Sequence, residues 1–211
     1  MNQHDPTFET RFIRTAAGSE IRMLPGTRTL AGIAAPFNSP SEDLGGFREV
    51  IQRGAFNSTL SSNRDIRALL SHDNDKLLGR TSSGTLRLHE TPDGLAFEND
   101  LPDVSYARDL MSLVQRRDIR GMSFGFRVPK GGDSWAKVNG QAVRTLKSVD
   151  LGEISYVANP AYGSTAIQVR SFNVDPETVR AARDFMAGTG TPAMDRCRRI
   201  LDLMQMEMRA A

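Results

Sequence analysis

Residues 121–125 read Gly-Met-Ser-Phe-Gly, a G-x-S-x-G pentapeptide that offers Ser123 as a candidate nucleophile. A serine hydroxyl reacts poorly alone. It needs a base within hydrogen-bond reach and a third group to orient that base. In the strand-to-helix elbow of α/β-hydrolases, the acid and then the histidine follow this pentapeptide along the chain. Here the histidines are His4, His72 and His89, and all precede Ser123. The elbow reading fails on that order. An esterase of that class is further disfavoured by the lack of alternating strand–helix units.

Strand alternation gives the serine a different setting. Over 120–128, Met122, Phe124, Phe126 and Val128 share one face, and Gly121, Ser123, Gly125 and Arg127 share the other. The apolar face is expected in the core. Ser123 then lies on an exposed face between two glycines, where an extended peptide can approach. The alternative is a surface serine beside bulge-forming glycines. His72 continues the series Ile66, Ala68, Leu70, which places an imidazole at the rim of a core. With an ordinary pKa near ~6.5 it suits general-base work around neutrality. Its alternative is a turn histidine bonded to Asp73-Asn74-Asp75. His89 is expected in solvent, and His4 in a loose terminus.

The third group is expected in Asp150-Leu151-Gly152-Glu153-Ile154-Ser155-Tyr156-Val157. Leu151, Glu153, Ser155 and Val157 fall on one face by alternation. A carboxylate on a half-apolar face needs a partner, and an imidazole N–H supplies one. Glu153 is the candidate acid, with Asp150, on the opposite face, as second choice. The alternative for Glu153 is an exposed edge-strand residue. Oxyanion donors, worth about 3–4 kcal/mol in such sites, are sought among backbone amides near Ser123 or in Arg80. A surface ion pair is the competing role for Arg80.

Strands must carry these groups. Thr29–Phe37, Phe47–Ile51, Ile66–His72, Thr85–Glu90, Leu95–Leu101 and Ile119–Val128 read as strands, with more strand across Val143–Val157. Asp73-Asn74-Asp75 reads as a turn. Thr91-Pro92-Asp93-Gly94 reads as a hairpin turn in which proline presets its φ and glycine takes a positive one. Gly54–Leu60 reads as a short helix. Tyr106, Leu110, Leu113 and Val114 predict an amphipathic helix over Val104–Arg116. Mainly β structure with helices follows, an α+β chain built as an antiparallel barrel or sandwich. Beyond Arg170 a helix is predicted over Pro176–Met186, then a breaker at Gly188–Pro192. Met194, Cys197, Leu201, Met204 and Met208 mark a last helical stripe, either packed on the body or binding another helix.

The composition sets outer bounds. The 211 residues carry a net charge of +2, too small to argue for nucleic acid. The lone Cys197 rules out an intrachain disulfide and a cysteine metal cluster, and fits a reducing compartment. No signal peptide and no eighteen-residue apolar run are apparent. No metal or other cofactor, no nucleic acid and no membrane are expected.

Several segments together resemble one family. They are Phe37-Asn38-Ser39, Glu42–Ile51, Gly54-Ala55-Phe56, Leu69–Asp73, Leu78–Thr81, Gly84-Thr85-Leu86, Gly121–Phe126 and Leu151–Val157 with Pro160-Ala161-Tyr162. In this order over about residues 30–170 they resemble the prohead maturation serine proteases of tailed bacteriophages. The resemblance implies an assemblin-like fold, a small antiparallel β-barrel surrounded by helices, as residues 1–170. Residues 171–211 would be a helical extension, mobile or self-cleaved. It implies a serine endopeptidase acting in the host cytoplasm inside the assembling procapsid, not secreted. Its substrates would be the scaffolding segment of the major capsid protein precursor and the protease itself, with self-association possible. Ser123 matches the nucleophile, His72 the base and Glu153 the acid. The chain departs from the pattern at Gly152, where a larger residue is common, and at Ala158-Asn159. An inactive capsid- or scaffold-binding barrel of the same fold is the competing function.

Overall fold

The computed structural model describes residues 8–13, 21–158, 174 and 176–188. In chain order the elements are β1 (Glu9–Ile13), β2 (Arg22–Met23), β3 (Thr29–Pro36), β4 (Phe47–Ile51), α1 (Asn57–Ser61), β5 (Arg67–Leu70), β6 (Asp73–Arg80), β7 (Leu86–Glu90) and β8 (Gly94–Asp100). They continue with α2 (Ser105–Gln115), β9 (Ile119–Arg127), β10 (Asp133–Val138), β11 (Gln141–Leu146), β12 (Asp150–Ala158) and α3 (Pro176–Ala187). The chain is mainly β with a few helices, as the strand-length apolar runs require. The strands form three sheets, ordered β1-β9-β12-β5-β6, β10-β11-β4 and β2-β3-β8-β7. No ladder joins them into a closed barrel among the described residues.

All three sheets face one core. Phe124 and Phe126 of β9, Ile154 and Tyr156 of β12, Ile51, Leu146, Leu30, Leu95 and Phe97 are buried in it together. Leu110 and Val114 of α2 close one side, the face that the 110/113/114 spacing predicts. Phe124 and Phe126 stack with ring centroids 4.9 Å apart. Each such fully buried side chain stabilises the fold by about 1.5–3 kcal/mol. Inside this core the buried Asn99 carboxamide lies 3.2 Å from the Tyr156 hydroxyl. Burial pushes the Tyr156 phenol above its ordinary range, so it stays protonated. A second apolar cluster, with Phe47, Trp135 and Ala182 buried, seats α3 against β10 and β11.

Between the two clusters lies a layer of buried charge. Arg11 of β1 grips Glu49 of β4 with two bonds, Nε–Oε1 at 2.8 Å and Nη2–Oε2 at 3.0 Å. It also pairs with Glu9. Arg144 of β11 donates to both Glu9 oxygens at 3.0 Å, to Glu49 at 3.1 Å and to Asp133 at 2.7 Å. Bidentate, mutually satisfied pairs are the geometry in which buried ions are tolerated. This layer fastens β1 to the second sheet.

Several elements differ from the sequence reading. Val143–Val157 is two strands, β11 and β12. Asp73-Asn74-Asp75 begins β6 rather than making the turn. β1, β2, β6 and β10 carry too many polar residues to announce themselves by alternation. Gly94 closes the β7–β8 hairpin without a positive φ. A Cβ there would stand 2.8 Å from Ile33 Cγ2 and 2.9 Å from Pro36 Cα, so close approach selects the glycine. The Met194–Met208 stripe lies outside the described residues. No helix of the described residues is long and apolar enough to cross a membrane.

Replacing Arg144 by Met removes the cation that Glu9, Glu49 and Asp133 share. The expected loss is about 3–5 kcal/mol, read as a lowered urea midpoint at unchanged slope.

Candidate active site

β9 is an inner strand, paired with β1 on one side and β12 on the other. Met122, Phe124 and Phe126 enter the core as alternation predicts. Ser123 and Gly125 take the opposite face. That face is not open: Ser123 is 0% exposed. The expectation of an exposed serine is therefore corrected. Alternation fixes which face a residue takes, but only packing decides whether that face is wet.

The antiparallel ladder with β12 sets Ser155 directly across from Ser123 and Glu153 across from Gly125. Directly opposed residues point to the same face, so Ser123, Glu153 and Ser155 belong to one layer. A register shift between Leu151 and Glu153 makes this possible. Gly152 is the extra residue of a β-bulge, so Leu151 and Glu153 do not share a face as strict alternation had it. Leu151 goes to the core with Phe126, and Glu153 goes to the serine layer. Thr59 of α1 seals the bulge. Its Oγ accepts the Leu151 N–H at 3.1 Å and donates to the Val149 carbonyl at 2.7 Å.

His72 reaches the same layer by another route. β5 and β6 are joined by the two residues Ser71 and His72, with Leu70 paired to Asp73. Both take left-handed backbone, φ 53° and 61°. This is the turn that suits a tight hairpin, usually built from Asn-Gly. For residues with a Cβ it costs about 1–3 kcal/mol each and persists only where neighbours impose it. The turn lifts His72 out of the Ile66–Ala68–Leu70 alternation and sets it over β12. There Nδ1 meets the Glu153 carboxylate. The imidazole is 24% exposed and the Glu153 side chain 5%. An ionised carboxylate only accepts, so the ring proton belongs on Nδ1. That leaves Nε2, which is also buried, as a lone-pair acceptor. Ser123 Oγ is buried with no hydrogen-bond partner among the described residues. Two of the three expected residues are thus joined by a hydrogen bond, and the third lies in the same layer, in register with Ser155.

Two further residues belong to this site. Ser155 accepts the His72 backbone N–H on its Oγ at 3.2 Å. Its place on the Glu153 face was legible, but its contact with the hairpin tip was not. Phe8 is the other. A Cβ on Gly125 would stand 2.5 Å from the Phe8 ring and 2.9 Å from Glu153 Cγ. One on Gly152 would stand 2.8 Å from the same ring. Phe8 therefore occupies the space that a larger residue at 152 would fill, beside the Glu153 carboxylate. The Arg127 guanidinium lies 5.2 Å from the ring centroid.

The other candidates go elsewhere. The Asp150 carboxylate pairs with Arg64 at 3.6 Å. Arg80 is held by Asp65, whose carboxyl it keeps well below the ordinary range by side-chain hydrogen bonding. That is the ion-pair alternative for Arg80. β9 is paired along both edges, so its amides near Ser123 are committed to ladders and are poor oxyanion donors in this arrangement. His89 is exposed, and His4 lies outside the described residues. The cavity of about 230 Å³ near Thr59, Asn63, Arg64 and Thr81 includes none of Ser123, His72 and Glu153.

Gly125→Ala is expected to lower stability by about 1–3 kcal/mol through overpacking. Tryptic cleavage at Arg11 should also accelerate as Phe8 is pushed off; an unchanged melting temperature and digestion rate would contradict the close approach.

No curated protein and no solved structure matches the chain. Residues 19–179 match the family described as caudovirus prohead serine protease, which is well over half of the sequence and includes β9, β12 and the β5–β6 hairpin. A family of serine peptidases of phage capsid maturation accords with a serine, an imidazole and a carboxylate gathered on one sheet face, and this chain belongs to it.

Proposed function

We propose that the chain is an active serine endopeptidase that cleaves the scaffolding segment of the major capsid protein precursor inside the procapsid, and cleaves itself. Ser123 is the nucleophile, His72 the general base and Glu153 the residue that orients the imidazole. The observation that carries this reading is the hydrogen bond between His72 Nδ1 and Glu153, on the sheet face to which Ser123 belongs. His72 Nε2 takes the Ser123 proton as Oγ attacks the scissile carbonyl carbon. Glu153 holds the tautomer and stabilises the imidazolium. The imidazolium returns its proton to the leaving amine, and water then hydrolyses the acyl-enzyme by the same route reversed. The serine and imidazole need to draw together only when substrate is bound, since catalytic hydrogen bonds often tighten at that stage.

The assemblin-like barrel belongs to the same proposal, supported by three sheets that enclose one core. So does the division into a protease domain over residues 1–170 and a helical extension over 171–211. The composition change after Arg170 and the Gly188–Pro192 breaker support a self-processed extension.

Co-expression with the cognate capsid precursor tests the function. Wild type should shorten the capsid subunit by a discrete mass, and Ser123→Ala should fold yet leave the subunit whole. Processing by Ser123→Ala would sink the nucleophile. His72→Ala should lose turnover comparably, by about 10⁴-fold or more. Glu153→Gln should lose less than the roughly 10⁶-fold that removal of the serine or base can reach, about 10⁴-fold, because it orients rather than reacts. A serine-reactive phosphonate should label Ser123 in an assembling sample. No label would favour the inactive capsid-binding barrel. An intact C-terminus at Ala211 in mature particles would count against self-cleavage there.

A further inference from the structure

We propose that Ser155 is a positioning residue of the site, the anchor that holds the His72 hairpin tip in its left-handed conformation. The inference rests on the reading of Ser123 as nucleophile and His72 as base. It concerns a residue that takes no part in bond-making.

The tip has two residues with a Cβ at positive φ, so its backbone is not a conformation that Ser71 and His72 adopt unaided. β12 supplies three successive ties. The Tyr156 carbonyl accepts the Ser71 N–H at 3.0 Å. Ser155 Oγ accepts the His72 N–H at 3.2 Å. The Glu153 carboxylate meets the ring at Nδ1. The first tie is backbone and the third is the orienting acid itself. The second depends on one hydroxyl oxygen in a residue that is 0% exposed, where bulk water is not at hand to replace it. The hydroxyl sits directly across from Ser123. One ladder position thus fixes both the nucleophile's strand and the backbone of the base. The same fact separates the two serines: Ser155 uses its oxygen on a main-chain amide, whereas Ser123 Oγ has no partner among the described residues.

Without that oxygen the His72 backbone loses its side-chain tie to β12. The Tyr156 and Glu153 ties and the Leu70–Asp73 pairing keep the hairpin in place, and the imidazole can rock about them. A small misplacement of a catalytic group lowers the rate without weakening substrate binding; an ångström is worth about 10²-fold. The prediction for Ser155→Ala is therefore a kcat about 10–100-fold lower on purified capsid precursor, with KM within about twofold. Ser155→Thr keeps the oxygen and should recover most of the rate. Two spectroscopic readouts, made in the Ser123→Ala background to prevent self-digestion, do not depend on turnover. The His72 amide should exchange at least about tenfold faster in Ser155→Ala, and the low-field Nδ1–H resonance should broaden or move upfield.

Wild-type kcat in Ser155→Ala would overturn the proposal, and so would a reduced kcat with an unchanged His72 amide and ring proton. Changed His72 signals together with a Ser123→Ala enzyme that still processes capsid precursor would remove the nucleophile assignment and leave the anchor standing. If Ser155→Ala does not fold, Ser155→Cys, which keeps a weak acceptor at the same place, decides by the same readouts. An intermediate kcat with faster His72 exchange supports the anchor, and wild-type values for both refute it.

Discussion

The one-residue bulge at Gly152 is the constraint on which the site depends. β12 must give Leu151 to the core and Glu153 to the opposite face, and regular alternation forbids this for residues two apart. The extra residue resolves the conflict, at the cost of a ladder position that Thr59 repairs from α1. Everything after the bulge follows from it: Glu153 across from Gly125, Ser155 across from Ser123, Tyr156 across from Met122. Remove the bulge and one of two things happens. Either the carboxylate enters an apolar core unpaired, or the large residues of β12 turn away from that core.

The site is thus assembled from three departures from regular strand geometry. A bulge places the acid, a strained hairpin tip places the imidazole, and a bare strip at Gly125 and Gly152 admits the Phe8 ring beside the carboxylate. Each departure costs stability locally, and each is held by neighbours that are regular. β9 is anchored by Ile119, Met122, Phe124 and Phe126 in the core, β12 by Leu151, Ile154 and Tyr156. The regular face of each strand secures the irregular one, which is how strained geometry persists at functional positions.

Much of this was legible in the sequence, and the failures share one cause. The alternation of Met122, Phe124 and Phe126 told which way Ser123 points, and histidine order removed the hydrolase elbow. α2 followed from the 110/113/114 spacing. What the sequence hid is whatever arises between segments. Burial of Ser123 depends on what covers its face, which alternation does not record, and the Phe8 ring that packs over Gly125 and Gly152 comes from far away along the chain. The face of Glu153 depends on a bulge whose only local sign is a glycine. The route of His72 depends on two positive φ values at Ser-His, a pair that carries no turn signature, so Asp73-Asn74-Asp75 drew the turn to itself. β1 and β10 escaped because Glu9, Arg11 and Asp133 are satisfied by partners on other strands, which no local pattern records, and β6 because it opens on four polar residues, Asp73 to Lys76.

The charge layer around Arg144 has a consequence for how β1 can vary. β1 brings one cation, Arg11, and one anion, Glu9, and these bond to each other as well as to Arg144 and Glu49. The strand is electrically self-compensated, while Arg144, Glu49 and Asp133 keep contacts of their own without it. Sequence drift at positions 9 and 11 is therefore coupled. An apolar pair can replace Glu9 and Arg11 together and leave no ion stranded, but losing Arg11 alone leaves Glu9, Glu49 and Asp133 crowded on the single cation Arg144. Homologous chains should show these two positions changing as a unit, a covariation across two residues of one strand rather than across a ladder.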